Sequence, residues 1–320
     1  MHLSKVSLRT FIHNLYNLFV YDYHQFDLSQ KRQLEQLRLF MATQEMQTYF
    51  NESNSQPYLE ELQFIKENGI CHFPYKPLKR LEKVETGYNT KHHLPFVIHN
   101  GKRLYFPKDH TLEEVERKYR RLIETENILG GGYTQKAPHQ YQTTNFKVEE
   151  GDVFVDVGSA EGLVALDVVE KASKLYIIES DRHWIPALKA TFEPYKEKCV
   201  ITHKQVAANN SLRSITLEKL LKQETGKPLF IKMDIEGNET QVLEASKDFL
   251  TTTNHIKIAC CTYHKHHDAD TIASFFKQLG YHYEFSDGWM MQWILEDDPI
   301  YPPFFRHGLL RACHTSETNP

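Results

Sequence analysis

The chain has 320 residues, of which 40% are hydrophobic and 25% charged, with a formal net charge of -4. Such a length supports one large or two ordinary domains with a sizeable core, and the composition excludes a disordered chain. The mildly acidic balance speaks against a nucleic-acid backbone as partner.

Five cysteines stand at positions 71, 199, 260, 261 and 313, with no Cys-x-x-Cys spacing. This argues against a disulfide framework and for a reducing compartment, so a cytoplasmic location is expected. The partly apolar run from Phe11 to Tyr21 is interrupted by His13, Asn14 and Asn17. It predicts neither a secretory signal nor a membrane span.

Taken in chain order, residues 1 to about 90 read as helical. Ser29 is placed to cap a helix carrying Leu34, Leu37, Met41 and Phe50, and Pro57 opens a second with Leu59, Leu62 and Ile65. Phe96 to Phe106 contains Asn100-Gly101 between apolar runs, which predicts a β-hairpin. Thr111 and Glu114 have the spacing of a capping box for a helix running to about Glu126. The basic run Arg117-Lys118-Tyr119-Arg120-Arg121 on it reads as a solvated face. Gly130-Gly131-Gly132 reads as a linker, because no strand precedes it and no Lys-Ser or Lys-Thr follows.

Strands and helices then alternate. Strands are expected at 153–157, 175–179, 199–203, 229–233 and 256–263. Helices are expected at 161–171, 182–196, 217–223, 238–250 and 268–279. The alternation predicts an α/β, doubly wound, mostly parallel sheet. A closing antiparallel hairpin, 281–285 with 289–294, favours a methyltransferase-type sheet with one reversed strand over a dehydrogenase sheet. The expected division is a mainly helical region with a hairpin, 1–130, followed by a catalytic domain, 131–320. Exposed apolar helix faces in the first region would suit a homodimer or a substrate pocket.

Val153-Phe154-Val155-Asp156-Val157-Gly158-Ser159-Ala160-Glu161-Gly162 reads as strand, carboxylate and tight glycine turn. That junction lets a backbone pass close to a nucleotide-like ligand. Glu179 ends the next strand, about 20 residues on, where nucleoside folds place a carboxylate for ribose hydroxyls. Asp234 and Glu236, at the end of strand 229–233, point to one side if the chain stays extended. Two such carboxylates can hold a divalent ion, receive a proton or stabilise a sulfonium. For Glu236 and Glu239 the alternative is capping of the following helix. The cluster His266, His267, Asp268 and Asp270 reads as a solvated loop, without the spacing of metal ligands.

From about Pro138 to Asp287 the sequence resembles the FkbM family of methyltransferases. The carriers are Asp156 to Gly162, Glu179 and above all Ile231-Lys232-Met233-Asp234-Ile235-Glu236-Gly237-Asn238-Glu239. Ala137-Pro138-His139-Gln140-Tyr141 and Tyr263-His264-Lys265 resemble further family positions. The sequence departs from the family where a Leu-Asp pair is frequent, reading Leu217-Glu218 instead.

The resemblance implies a class I, Rossmann-like sheet of seven strands, S-adenosylmethionine as cofactor, and O-methylation of a carbohydrate or glycosylated natural product. The acceptor would be a small molecule or glycan. Expected cofactor-binding residues are Asp156, Gly158, Ser159, Ala160, Glu161, Gly162, Glu179, Ser180 and Asp234. Tyr141, Gln205 and Trp184 are expected on the adenine side. His264, Asp234 and Glu236 are the expected catalytic group, with His264 as base; a metal requirement stays open. Two other readings remain. A nicotinamide-dependent oxidoreductase would need a Gly-x-Gly-x-x-Gly spacing, which Asp156 to Gly162 does not have. A non-catalytic cofactor-binding subunit would keep the fold and recruit partners through its N-terminal region.

Overall fold

The computed structural model describes residues 28–53, 56–291, 302 and 304–314. The run Phe11 to Tyr21 lies outside them, as do residues 292–294 of the expected last hairpin. The described residues fall into two compact units. Residues 28–53, 56–71 and 302 form one, and the remainder, from His72 on, form the other.

The first unit holds α1 (Leu28–Ser53), a 3-10 turn (Gln56–Tyr58) and α2 (Leu59–Asn68). Ser29 lies inside α1 rather than at its cap. Ala42, Met46 and Phe50 are the buried positions of α1, whereas Leu37 of the expected stripe is 54% exposed. Positions four apart share one helix face, and this is the face that α1 buries. Pro57 sits in the 3-10 turn, where a fixed φ and a missing N–H cost nothing.

The second unit begins with a three-stranded antiparallel sheet: β1 (Thr86–Asn89), β2 (Leu94–His99) and β3 (Lys102–Tyr105). Asn100 and Gly101 turn β2 into β3 with φ of 48° and 77°, the two positive values of a type I′ turn. α3 (Leu112–Arg120) starts at a complete capping box. Its Glu114 N–H donates to Thr111 Oγ1 at 3.2 Å, and the Thr111 N–H donates to Glu114 Oε2 at 2.8 Å. One π-turn (Arg121–Thr125) carries the helix on. The hairpin belongs to this unit, so the compact boundary lies near residue 71 and not 130.

The main sheet contains β4 (Val153–Val157), β5 (Lys174–Glu179), β6 (Cys199–His203), β9 (Leu229–Met233), β10 (Ile256–Cys261), β11 (His282–Phe285) and β12 (Leu309–His314). Its order is β11-β12-β10-β9-β4-β5-β6. β6, β5, β4, β9 and β10 are parallel neighbours, and β12 is antiparallel to both β10 and β11. One strand of seven is therefore reversed, and the fold is that of class I, Rossmann-like methyltransferases.

The partner of β11 corrects the expected hairpin. β11 pairs with residues 309–314 where 289–294 was expected; of that expected run residues 289–291 are described, and there Met290 makes a single bridge to Arg306. The Met291 N–H donates to the His72 carbonyl at 3.0 Å.

A small parallel pair, β7 (Gln205–Val206) with β8 (Ser214–Ile215), was not foreseen. Helices α4 (Leu163–Val168), α5 (Ile185–Phe192), α6 (Leu217–Leu221), α7 (Glu239–Ala245), α8 (Lys247–Thr252) and α9 (Asp268–Gln278) connect the strands. The single helix expected at 238–250 breaks at Ser246 into α7 and α8. Every residue of β4 is buried: Phe154 packs in one core cluster, while Val153, Val155 and Val157 pack in another. Burial on both faces is what a near-continuous apolar strand requires.

Candidate active site

Asp156 and Lys232 face each other in register on β4 and β9, each a charge inside an apolar strand. Burial of a lone charge is prohibitive, so they must pair. Lys232 Nζ lies 2.9 Å from Asp156 Oδ1 and donates to the Gly158 carbonyl at 2.6 Å. Burial opposes the charge of Lys232, but Asp156 and then Asp234 push its pKa up. Asp156 is thus a structural counter-ion, behind the turn rather than in contact with a ligand space.

The glycine turn is also required by packing. A Cβ on Gly158, at φ 79°, would stand 1.8 Å from the Asp234 carbonyl oxygen. Its bareness lets the tips of β4 and β9 meet. A Cβ on Gly162 would press on Leu188 at 2.8 Å and Phe192 at 3.0 Å, so this glycine makes room for α5. Between them the Ala160 N–H donates to Glu179 Oε2 at 2.8 Å, while Glu179 Oε1 accepts from the Asp181 N–H at 2.7 Å. Each carboxylate oxygen has a further lone pair, so Glu179 is oriented without being saturated.

Beside the turn lies a cavity of about 110 Å³ lined by Glu126, His139, Tyr141, Gly158 to Glu161, Lys232 and Asp234, with Leu122, Ile128 and Val164 as its apolar wall. Burial raises the Glu161 carboxyl to about 7. Asp234 is the centre of a hydrogen-bonded group. The Tyr141 hydroxyl donates to its Oδ2 at 2.8 Å and the Tyr263 hydroxyl to its Oδ1 at 3.1 Å. His139 Nε2 lies 2.9 Å from the Tyr141 oxygen, and its Nδ1 lies 3.2 Å from Glu126 Oε2.

Burial works against the charges here, but the partners prevail. Asp234 and Glu126 lift His139 to about 9. His139, Lys232 and His264 in turn hold the Asp234 carboxyl well below the usual carboxylate range.

On the other side of Asp234 stands His264, just beyond β10. Its Nε2 is 3.5 Å from Asp234 Oδ1 and 3.6 Å from Glu236 Oε2, and its Nδ1 is 3.1 Å from Glu239 Oε1. Burial lowers its pKa, yet Glu239, Asp234 and Glu236 together leave it raised. Glu239 is fully buried and accepts the Ile235 N–H at 2.8 Å. Glu236 is the opposite, 89% exposed on a backbone with φ 55°. A non-glycine residue in that region stores strain of about 1–3 kcal/mol and is a feature of functional turns.

Of the residues expected at the site, Tyr141, Gly158, Ser159, Ala160, Glu161 and Asp234 line the cavity. Glu179 and Gly162 support the turn, and His264 and Glu236 lie across Asp234 from it. Tyr141 lines the cavity with its hydroxyl donating to Asp234. Gln205 is exposed on β7, and the exposed Ser180 only accepts His203 Nε2 at its carbonyl, at 3.1 Å. Trp184 packs against Phe106 and His110, at ring separations of 6.0 and 6.2 Å.

Glu126, His139, Lys232 and Tyr263 carry no role in the sequence reading. A signal for Lys232 was present: a lysine amid Leu-Phe-Ile-x-Met needs a buried acid, and Asp156 is the acid of the matching strand.

Residues 137–283 match the family model described as Methyltransferase FkbM domain. This stretch, somewhat less than half of the chain, is similar to an FkbM methyltransferase domain. Among curated proteins, none matches the sequence significantly. Similar solved structures include a methyltransferase FkbM from Methylobacillus flagellatus KT, with 18% identity and a TM-score of 0.40, covering 52% of this chain and 44% of that one. A precorrin-6y C5,15-methyltransferase from Geobacter metallireducens GS-15 has 10% identity and a TM-score of 0.36, covering 53% and 83%. SMU.1697c from Streptococcus mutans, solved in complex with SAH, has 12% identity and a TM-score of 0.34, covering 52% and 89%. The match to the first spans less than half of its length. Among the described residues no helix is long and apolar enough to cross a membrane.

The donor set of the cavity fits one end of the methyl donor. Glu126, Glu161 and Asp234 meet His139 and Lys232 around one cavity. Such mixed walls suit a zwitterionic amino-acid end next to a sulfonium charge. At about 110 Å³ the cavity falls short of the roughly 300–1,000 Å³ of whole ligand pockets, so it fits that end and not the nucleoside.

Proposed function

We propose that the protein is an S-adenosylmethionine-dependent O-methyltransferase acting on a hydroxyl of a carbohydrate or glycosylated small molecule. The observation that carries this reading is Asp234, placed between the cavity under the glycine turn and the His264 corner. When bound, the cofactor supplies a methyl group on a positively charged sulfur. The corner of His264, Asp234 and Glu236 would receive the acceptor hydroxyl and let its proton pass to solvent as the oxygen takes the methyl group.

In this reading Glu126, Glu161 and Asp234 favour the cationic donor, and Glu179 is the acceptor for ribose hydroxyls at the rim. Tyr141 and Tyr263 fix the Asp234 carboxylate, so that it meets the sulfonium without reorganising. His264, Asp234 and Glu236 receive the acceptor, and alignment alone supplies up to about 7–11 kcal/mol of the barrier in such displacements.

Calorimetric titration with S-adenosylhomocysteine and with NAD tests the proposal. Micromolar binding of the first is expected. Binding of NAD alone would replace it by the oxidoreductase reading. Transfer of labelled methyl to a panel of sugars, with His264→Ala as control, tests the acceptor class. The variant is expected to keep cofactor affinity and lose turnover.

A further inference from the structure

Around His264 the structure leaves polar atoms without partners where it can least tolerate them. Glu239 is completely buried, and its Oε2 has no hydrogen-bond partner. The His264 side chain is 6% exposed; its Nδ1 has the Glu239 Oε1 ion-pair contact at 3.1 Å, and its Nε2 has no hydrogen-bond partner. An unsatisfied buried group costs about 1–3 kcal/mol, more if charged.

One ligand atom each from Asp234, Glu239 and His264 lies within 4.8 Å of the others. Glu236 Oε2, on an exposed side chain, is 3.6 Å from His264 Nε2. Separations of 3.5 and 3.6 Å between His264 Nε2 and the Asp234 and Glu236 oxygens are too long for hydrogen bonds. They leave room for an ion between these atoms, and a movement of about half an ångström brings the ligands to the roughly 3.0 Å cis spacing of an octahedral ion about 2.1 Å from each.

Lys232 and His139 answer part of the Asp234 charge, and Lys265 Nζ donates to the Gly237 carbonyl; among the described residues no lysine pairs with Glu236 or Glu239. Three carboxylates thus converge on one imidazole.

We infer that Asp234, Glu239 and His264, joined by Glu236, form a binding site for a divalent cation at the acceptor end of the catalytic pocket. Three carboxylates and a single imidazole select an oxygen-preferring ion of the Mg²⁺ or Mn²⁺ class over a thiophilic one. This placement rests on the methyltransferase reading only for its role, which is to bind the acceptor oxygen and favour loss of its proton to solvent. The site itself is independent of that reading.

The test is Mn²⁺ binding to the full chain, followed by the loss of the free-ion electron paramagnetic resonance signal, with S-adenosylhomocysteine titrated separately. One bound Mn²⁺ per chain is expected. His264→Ala and Glu239→Gln should weaken it at least about ten-fold, in line with the effect of losing a metal's supporting groups. Because Glu239 is buried and its variant could unfold, Glu236→Gln provides a second reading. It lies on the surface, should keep the wild-type melting temperature, and should still weaken Mn²⁺ binding.

No Mn²⁺ bound at millimolar concentration, or binding unchanged in both His264→Ala and Glu236→Gln, would overturn the site. Failure of S-adenosylhomocysteine to bind while Mn²⁺ does would overturn the function and leave the site.

Discussion

Removing Lys232 should expose how the glycine turn is held. In Lys232→Met the side-chain volume is kept and the charge lost. Asp156, 1% exposed, would then be an ionised carboxylate with no counter-ion on its own or the neighbouring strand. Breaking a buried pair from one side costs about 3–5 kcal/mol. The hydrogen bond from Nζ to the Gly158 carbonyl, 2.6 Å long, goes with it and overlaps this figure rather than adding to it.

Equilibrium urea unfolding measures the loss. Burial already raises the Asp156 pKa, and without Lys232 it rises further. A raised folded-state carboxyl pKa means that the folded protein holds the extra proton. The penalty is therefore full above that pKa and shrinks as the pH falls through it, so the variant should be weaker at pH 8 than at pH 5. Asp156→Asn/Lys232→Met removes both charges and should be more stable than Lys232→Met alone. A loss below about 1 kcal/mol in the single variant, or no recovery in the double, would refute the buried pair as the support of the turn.

Two glycines should respond differently to alanine. Gly158→Ala meets a backbone oxygen at 1.8 Å as well as paying for positive φ, and should lose more than about 3 kcal/mol or fail to fold. Gly162→Ala meets only side chains, which can shift, and should lose less; thermal melts compare the two. Glu161 has a folded pKa of about 7, against an ordinary value of 4.5. The penalty for ionising it grows as the pH rises from about 4.5 to 7, so Glu161→Gln should gain at most about 3 kcal/mol at pH 8 and less than about 1 kcal/mol at pH 5, read from urea midpoints. Glu179→Ala should lower affinity for S-adenosylhomocysteine at least about ten-fold by calorimetry, through the rim acceptor and the turn it holds at Ala160.

The sequence alone carried the order of strands and helices in the second half, because apolar runs such as Val153 to Val157 and Leu229 to Met233 fill strands buried on both faces. It carried the glycine turn, the acids at three strand tips and the capping box at Thr111, all set by local geometry. Only the tertiary structure decided which polar groups meet. Lys232 and Asp156 stand 76 positions apart and become partners through strand register, and His139 reaches Asp234, with Glu126 behind it, from loops with no periodic signal. The partner of β11 was equally illegible, since a nearby apolar run and a distant one compete and the distant one, Leu309 to His314, is the strand that pairs. Local propensity acts over a few residues, whereas pairing of buried charges and strand edges is settled by which segments the packed core brings side by side.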